Sequence, residues 1–158
     1  MTADTPPFER APDGIRVNLR RQERDVLTRL IPQLREVVER EDPSSDPAVG
    51  RLFPAAYPDD PLQNLEFEET VGRELAKERL DAIRTMESTL EATSLSEESI
   101  LAWLTTLNGL RLVLGTRLKV EEETTEDDFE DEQDQERYGL YRYLTWLEGS
   151  IVEVLPVG

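Results

Sequence analysis

The sequence predicts an all-α protein: a single-domain bundle of four long helices plus one or two short ones, with a flexible N-terminal arm. Three observations lead there. Apolar residues recur at i, i+3 and i+4 over four long stretches. One of them, Ser96 to Val120, is apolar around most of its circumference and needs neighbours to cover it. Period-two alternation appears in only one short stretch, and a chain of 158 residues is long enough for one core without staples. The expected division is an arm over 1–14 and a helical domain over 15–158, with an acidic mobile loop at 121–136.

Each element follows from local residues. Pro6, Pro7 and Pro12, with a turn at Asp13-Gly14, mark the arm. Ile15, Val17 and Leu19 alternate with Arg16, Asn18 and Arg20, the pattern of a short extended segment. From Arg21, the residues Val26, Leu27, Leu30, Ile31, Leu34, Val37 and Val38 define a helix to about Glu41. A kink or a break into two abutting helices is expected at Pro32, which removes the bond to the Thr28 carbonyl.

Asp42 to Pro47 reads as a connection, and Ala48 to Phe53 as one or two helical turns ahead of Pro54. Asp60 as cap, Pro61 at the first helical position and Gln63 three residues after the cap open the longest helix. Its stripe is Leu65, Val71, Leu75, Ala82, Ile83, Met86 and Leu90. Ser96, followed by Glu97 and Glu98 at the positive end of a helix dipole, starts the apolar helix that should lie at the centre. The last helix, from about Gln135 to Leu155, sets Leu140, Leu144, Leu147 and Ile151 on one face.

Composition excludes whole classes of chemistry. The chain has no cysteine and no histidine, so it builds no disulfide, thiolate nucleophile, zinc finger or imidazole base. Paired carboxylates such as Glu68-Glu69 and Glu97-Glu98 are ordinary on exposed helix faces, and a di-iron bundle needs Glu-x-x-His. No Gly-rich phosphate loop, Walker pattern or nucleophile elbow occurs. The expectation is a protein that is not an enzyme and holds no cofactor and no metal. No apolar run of about 18 residues is present, and Met1 to Arg10 is polar, so a cytoplasmic location is expected.

The net charge is −17, from 18 Lys and Arg against 35 Asp and Glu, which disfavours nucleic acid as a partner. The basic patch Arg16, Arg20, Arg21 and Arg24 is diluted by Glu9, Glu23 and Asp25. A helix-turn-helix at Leu104 to Val120 would have an apolar recognition helix, so a DNA-binding regulator ranks below the other readings.

Eleven of the negative charges fall between Lys119 and Arg137 with no cation among them. An EF-hand register fails because Gln133 stands where glycine is required, or Phe129 at a ligand position. Two readings remain: a self-repelling solvated loop, or a docking element for a basic partner. In the second, Glu121, Glu126, Asp127, Asp128 and Asp131 steer the partner and Phe129 is its apolar anchor. On the central helix, Asn108, Arg111 and Gly115 share a face, and Gly109 and Gly115 point to close packing. Arg111 either pairs with a glutamate, for instance on the Pro61 helix, or forms with Asn108 and Arg117 a site for a small anionic ligand.

The run Trp103-Leu104-Thr105-Thr106-Leu107-Asn108-Gly109-Leu110-Arg111-Leu112-Val113-Leu114-Gly115-Thr116-Arg117-Leu118 resembles the signature of an actinobacterial domain-of-unknown-function family. The resemblance extends to Gly14-Ile15-Arg16, Arg51-Leu52-Phe53-Pro54-Ala55-Ala56-Tyr57 and Tyr143-Leu144-Thr145-Trp146-Leu147, and so covers nearly the whole chain. Genes of that family often neighbour the gene for ClpS, the Clp protease adaptor, which implies a connection with regulated proteolysis and carries over no site residues. The expected function is an interaction or regulatory module with a protein partner, possible partners including the Clp system. The alternative is a small anionic-ligand-binding protein. No membrane is expected, and a homo-oligomer stays open.

Overall fold

The turn at Pro12 and Asp13 folds the N-terminal segment back on itself. Strand β1 (Phe8–Ala11) pairs antiparallel with β2 (Gly14–Val17), Phe8 opposite Val17 and Ala11 opposite Gly14. A third strand, β3 (Ser94–Leu95), pairs antiparallel with β2 through Ile15 and Leu95, giving the order β1-β2-β3. Gly14 has φ +147°, and a Cβ there would lie 2.7 Å from the Leu95 carbonyl oxygen. Glycine alone suits both the backbone and the close approach. The computed structural model describes residues 5–39, 61–120 and 123–155, without the side chains of 61–74 and 126.

Among these residues there are four α-helices: α1 (Arg21–Glu39), α2 (Pro61–Thr89), α3 (Glu97–Arg117) and α4 (Glu132–Val154). Helix α3 packs against α1, α2, α4 and the strands β2 and β3, and Ile100, Trp103 and Leu107 are fully buried. Its N-cap Ser96 accepts from the Ser99 amide at 3.1 Å. Around it close Leu27, Ile31 and Leu34 of α1, Ile83 and Met86 of α2, and Leu144, Leu147 and Ile151 of α4. Phe8 stands edge-on to Trp103 with ring centroids 6.0 Å apart, so the sheet shares the helical core.

The structure corrects four expectations. The protein is mostly helical with a small three-stranded sheet, not purely α. Residues 8–11, assigned to a flexible arm, form β1, because Phe8 buries its ring and the Asn18 amide donates to the Pro7 carbonyl at 2.8 Å. Helix α1 runs through Pro32 as one element and not as two abutting helices, the proline lying on the exposed face, where water can satisfy the freed carbonyl. Helix α4 starts at Glu132, inside the stretch assigned to the acidic loop. Asp131 caps it by accepting from the Gln133 amide at 2.8 Å, and Glu132 and Asp134 favour the positive end of the dipole. The turns expected over Ala48 to Phe53 and the Asp60 cap lie outside the described residues.

Candidate functional site

Burial decides which polar groups of the central helix are available to a ligand. Arg111 of α3 carries its guanidinium to α4, with Nε 3.2 Å from Glu148 Oε2. It also donates from Nη2 to Asn108 Oδ1 at 3.1 Å and from Nη1 to the Tyr141 hydroxyl at 3.4 Å, its carbon 6.0 Å from the Tyr141 ring centre. Asn108 and Arg111 are thus brought together, and the ion-pair partner is Glu148 of α4.

The pair is imperfectly matched. Arg111 Nε and Glu148 Oε1 are buried without an aligned hydrogen bond among the described residues. Burial pushes the Glu148 carboxyl above its ordinary value, and the attraction and hydrogen bond of Arg111 offset only part of that. Arg117 belongs elsewhere: it is exposed and contributes, with Gln33, to the wall of an apolar groove of about 50 Å³ formed by Leu30, Leu34, Leu110, Val113, Leu114 and Leu144.

The two glycines of α3 explain how the helices close. A Cβ on Gly115 would lie 2.8 Å from Tyr141 Cε2, so the missing side chain lets the tyrosine ring lie against the α3 backbone. A Cβ on Gly109 would meet both Leu34 methyl carbons at 3.2 and 3.3 Å.

The acidic segment is folded over aromatic rings. Phe129 is half-buried and packs on Tyr138 at 5.2 Å, and Tyr138 stacks on Tyr141 at 6.1 Å. Tyr138 donates to the Thr124 carbonyl at 2.8 Å, and Gln135 Nε2 to the Phe129 carbonyl at 2.7 Å. Glu126–Asp128 forms a 3-10 turn, and Asp128 Oδ2 accepts from the Thr125 amide at 2.8 Å. Of the residues proposed from sequence for docking, Asp127, Asp128 and Asp131 are exposed, Phe129 is engaged with Tyr138, and Glu121 and the Glu126 side chain lie outside the described residues.

The arginines near the N-terminus are mostly engaged. Arg24 is buried and donates to the Leu19 carbonyl at 3.3 Å, to the Ala92 carbonyl at 2.9 Å and to the Leu90 carbonyl. Arg20 pairs with Glu23, and Arg21 with Asp25 and Glu91. Of the residues a recognition helix would present to DNA, Leu110 and Val113 are core, and Leu112 and Leu114 are half-buried against it. Tyr143 donates to Glu23, a contact between α4 and α1 that sequence spacing does not reveal. Burial, with that bond, raises the Tyr143 hydroxyl far above its ordinary value. Among the described residues no group of three Asp or Glu converges to hold a metal ion, and no helix is long and apolar enough to cross a membrane.

These features define a mostly helical domain whose central helix carries a half-buried ion pair and whose acidic segment rests on an aromatic stack. The family model for a domain of unknown function, DUF2017, matches residues 3–155, and the chain belongs to that family. No curated protein and no solved structure matches it.

Proposed function

We propose that this DUF2017 protein is a cytoplasmic interaction module, not an enzyme, and that it docks a basic protein on its acidic segment. The observation that carries this reading is the arrangement of Glu123, Asp127 and Glu130, exposed carboxylates on a segment folded over Phe129 and Tyr138. A dense, single-sign surface of this kind accelerates encounter with a cationic partner. The gene neighbourhood implied by the actinobacterial resemblance supports a partner in the Clp system.

A small anionic ligand at Asn108, Arg111 and Arg117 is disfavoured. Arg111 is already engaged by Glu148, and Arg117 lies along a different wall. The test is capture of basic proteins, and separately of ClpS, from the source cells by the full chain and by a Glu123→Gln/Asp127→Asn/Glu130→Gln variant. Capture should weaken in the variant and also between 0.1 M and 1 M salt, as the Debye length falls from about 10 to about 3 Å. Equal capture by both chains at both salt concentrations overturns the reading.

A further inference from the structure

We infer that Arg111 and Gly115 of α3 are positioning residues that set the shape of the acidic segment through the stacked rings of Tyr141, Tyr138 and Phe129. The inference rests on the reading of that segment as a docking surface, because it names what holds the surface in shape.

The connection is continuous. Arg111 donates to the Tyr141 hydroxyl at 3.4 Å, and Gly115 gives the Tyr141 ring its place against α3. Tyr141 stacks on Tyr138 with ring planes 15° apart. Tyr138 then meets the segment twice, through the Phe129 ring and through the Thr124 carbonyl. The carboxylates repel one another and Phe129 buries little surface alone, so contacts from outside the segment must supply much of its order. The ladder supplies them from the central helix. Within the segment, the Thr125 amide bonds Asp128 Oδ2 at 2.8 Å and the Asp128 amide bonds the Thr125 carbonyl at 3.1 Å, so both report on that order.

The test is amide hydrogen exchange on the full chain in two variants. Gly115→Ala puts a methyl where the Tyr141 ring lies and leaves every charge in place. Arg111→Met/Glu148→Leu removes both members of the ion pair, so that no carboxylate is left buried and unpaired. Exchange at Thr125 and Asp128 should accelerate at least ten-fold in both variants. The Val17 amide, bonded to the Thr93 carbonyl just before β3, and the Ile100 amide, bonded to the Ser96 carbonyl, should keep their rates.

Unchanged rates at Thr125 and Asp128 in Gly115→Ala overturn the inference. So does equal acceleration at all four amides, which signals global destabilisation. If the double variant does not fold, Gly115→Ala decides alone. No partner enters this measurement, so its failure leaves the docking proposal intact, and failed capture with accelerated exchange leaves this inference intact.

Discussion

The indole of Trp103 donates to the hydroxyl of Thr89 at 2.7 Å, joining the second turn of the central helix to the last turn of α2. Trp103 is fully buried, so its N–H has no access to water. Thr89→Val keeps the shape and removes the acceptor, and should cost about 1 to 3 kcal/mol, the penalty of an unsatisfied buried donor. Urea unfolding measures it through the midpoint at constant slope, and Thr89→Ser should recover most of the loss.

Arg24 is the second buried donor with a defined task. Its guanidinium collects the carbonyls of Leu19, Leu90 and Ala92, where β2 leads into α1 and α2 leads into β3. Arg24→Met should destabilise by about 3 kcal/mol, since it strands buried carbonyls. Arg24→Lys should recover under half of that, because an ammonium lacks the planar fork. Thermal and urea unfolding of both variants check the order.

Glu148 makes stability depend on pH with an unusual sign for a carboxylate. Burial raises its value in the folded state above the ordinary one of the unfolded chain. The folded state therefore takes up its proton first as the pH falls. The cost of the buried charge is fully present above the raised value and vanishes below the ordinary one. Relative to Glu148→Gln, the natural chain should gain stability across that interval as pH is lowered. Unfolding curves of both chains at pH 4 to 8 test it, and a difference that stays constant with pH refutes it.

Two glycines separate backbone need from mere occurrence. Gly14→Ala forces a side chain into φ +147° and against the Leu95 carbonyl, and should cost about 2 kcal/mol. A Cβ on Gly139, within α4, would meet nothing within 4 Å, so Gly139→Ala should stabilise by up to about 1 kcal/mol. Opposite shifts in the urea midpoint are the expected result.

What was legible from sequence follows from the range of each signal. Helical periodicity identified α3 as central, since Ile100, Trp103 and Leu107 lie on a helix too apolar to face water. Gly109 and Gly115 pointed to close packing, and Leu34 and Tyr141 fill those places. The sheet was hidden because β3 has only two residues, too few for a period, and β1 sits among prolines that read as an arm. Asp131 as a cap was available in the text but masked by its acidic neighbours, whose repulsion in a loop becomes a favourable term at a helix start. That Arg111 would find Glu148 was not readable, because two helices choose partners through packing.

The register of the sheet bears on how the chain is made. Ile15 pairs with Leu95, and Phe8 leans on Trp103, so the hairpin cannot reach its final neighbours until the middle of the polypeptide has left the ribosome. At 5 to 20 residues per second, the stretch of about eighty residues between Ile15 and Leu95 takes about 4 to 16 seconds to synthesise. During that wait Phe8 and Ile15 are uncovered on the nascent chain, and a holding chaperone acting on this protein would find an apolar target there.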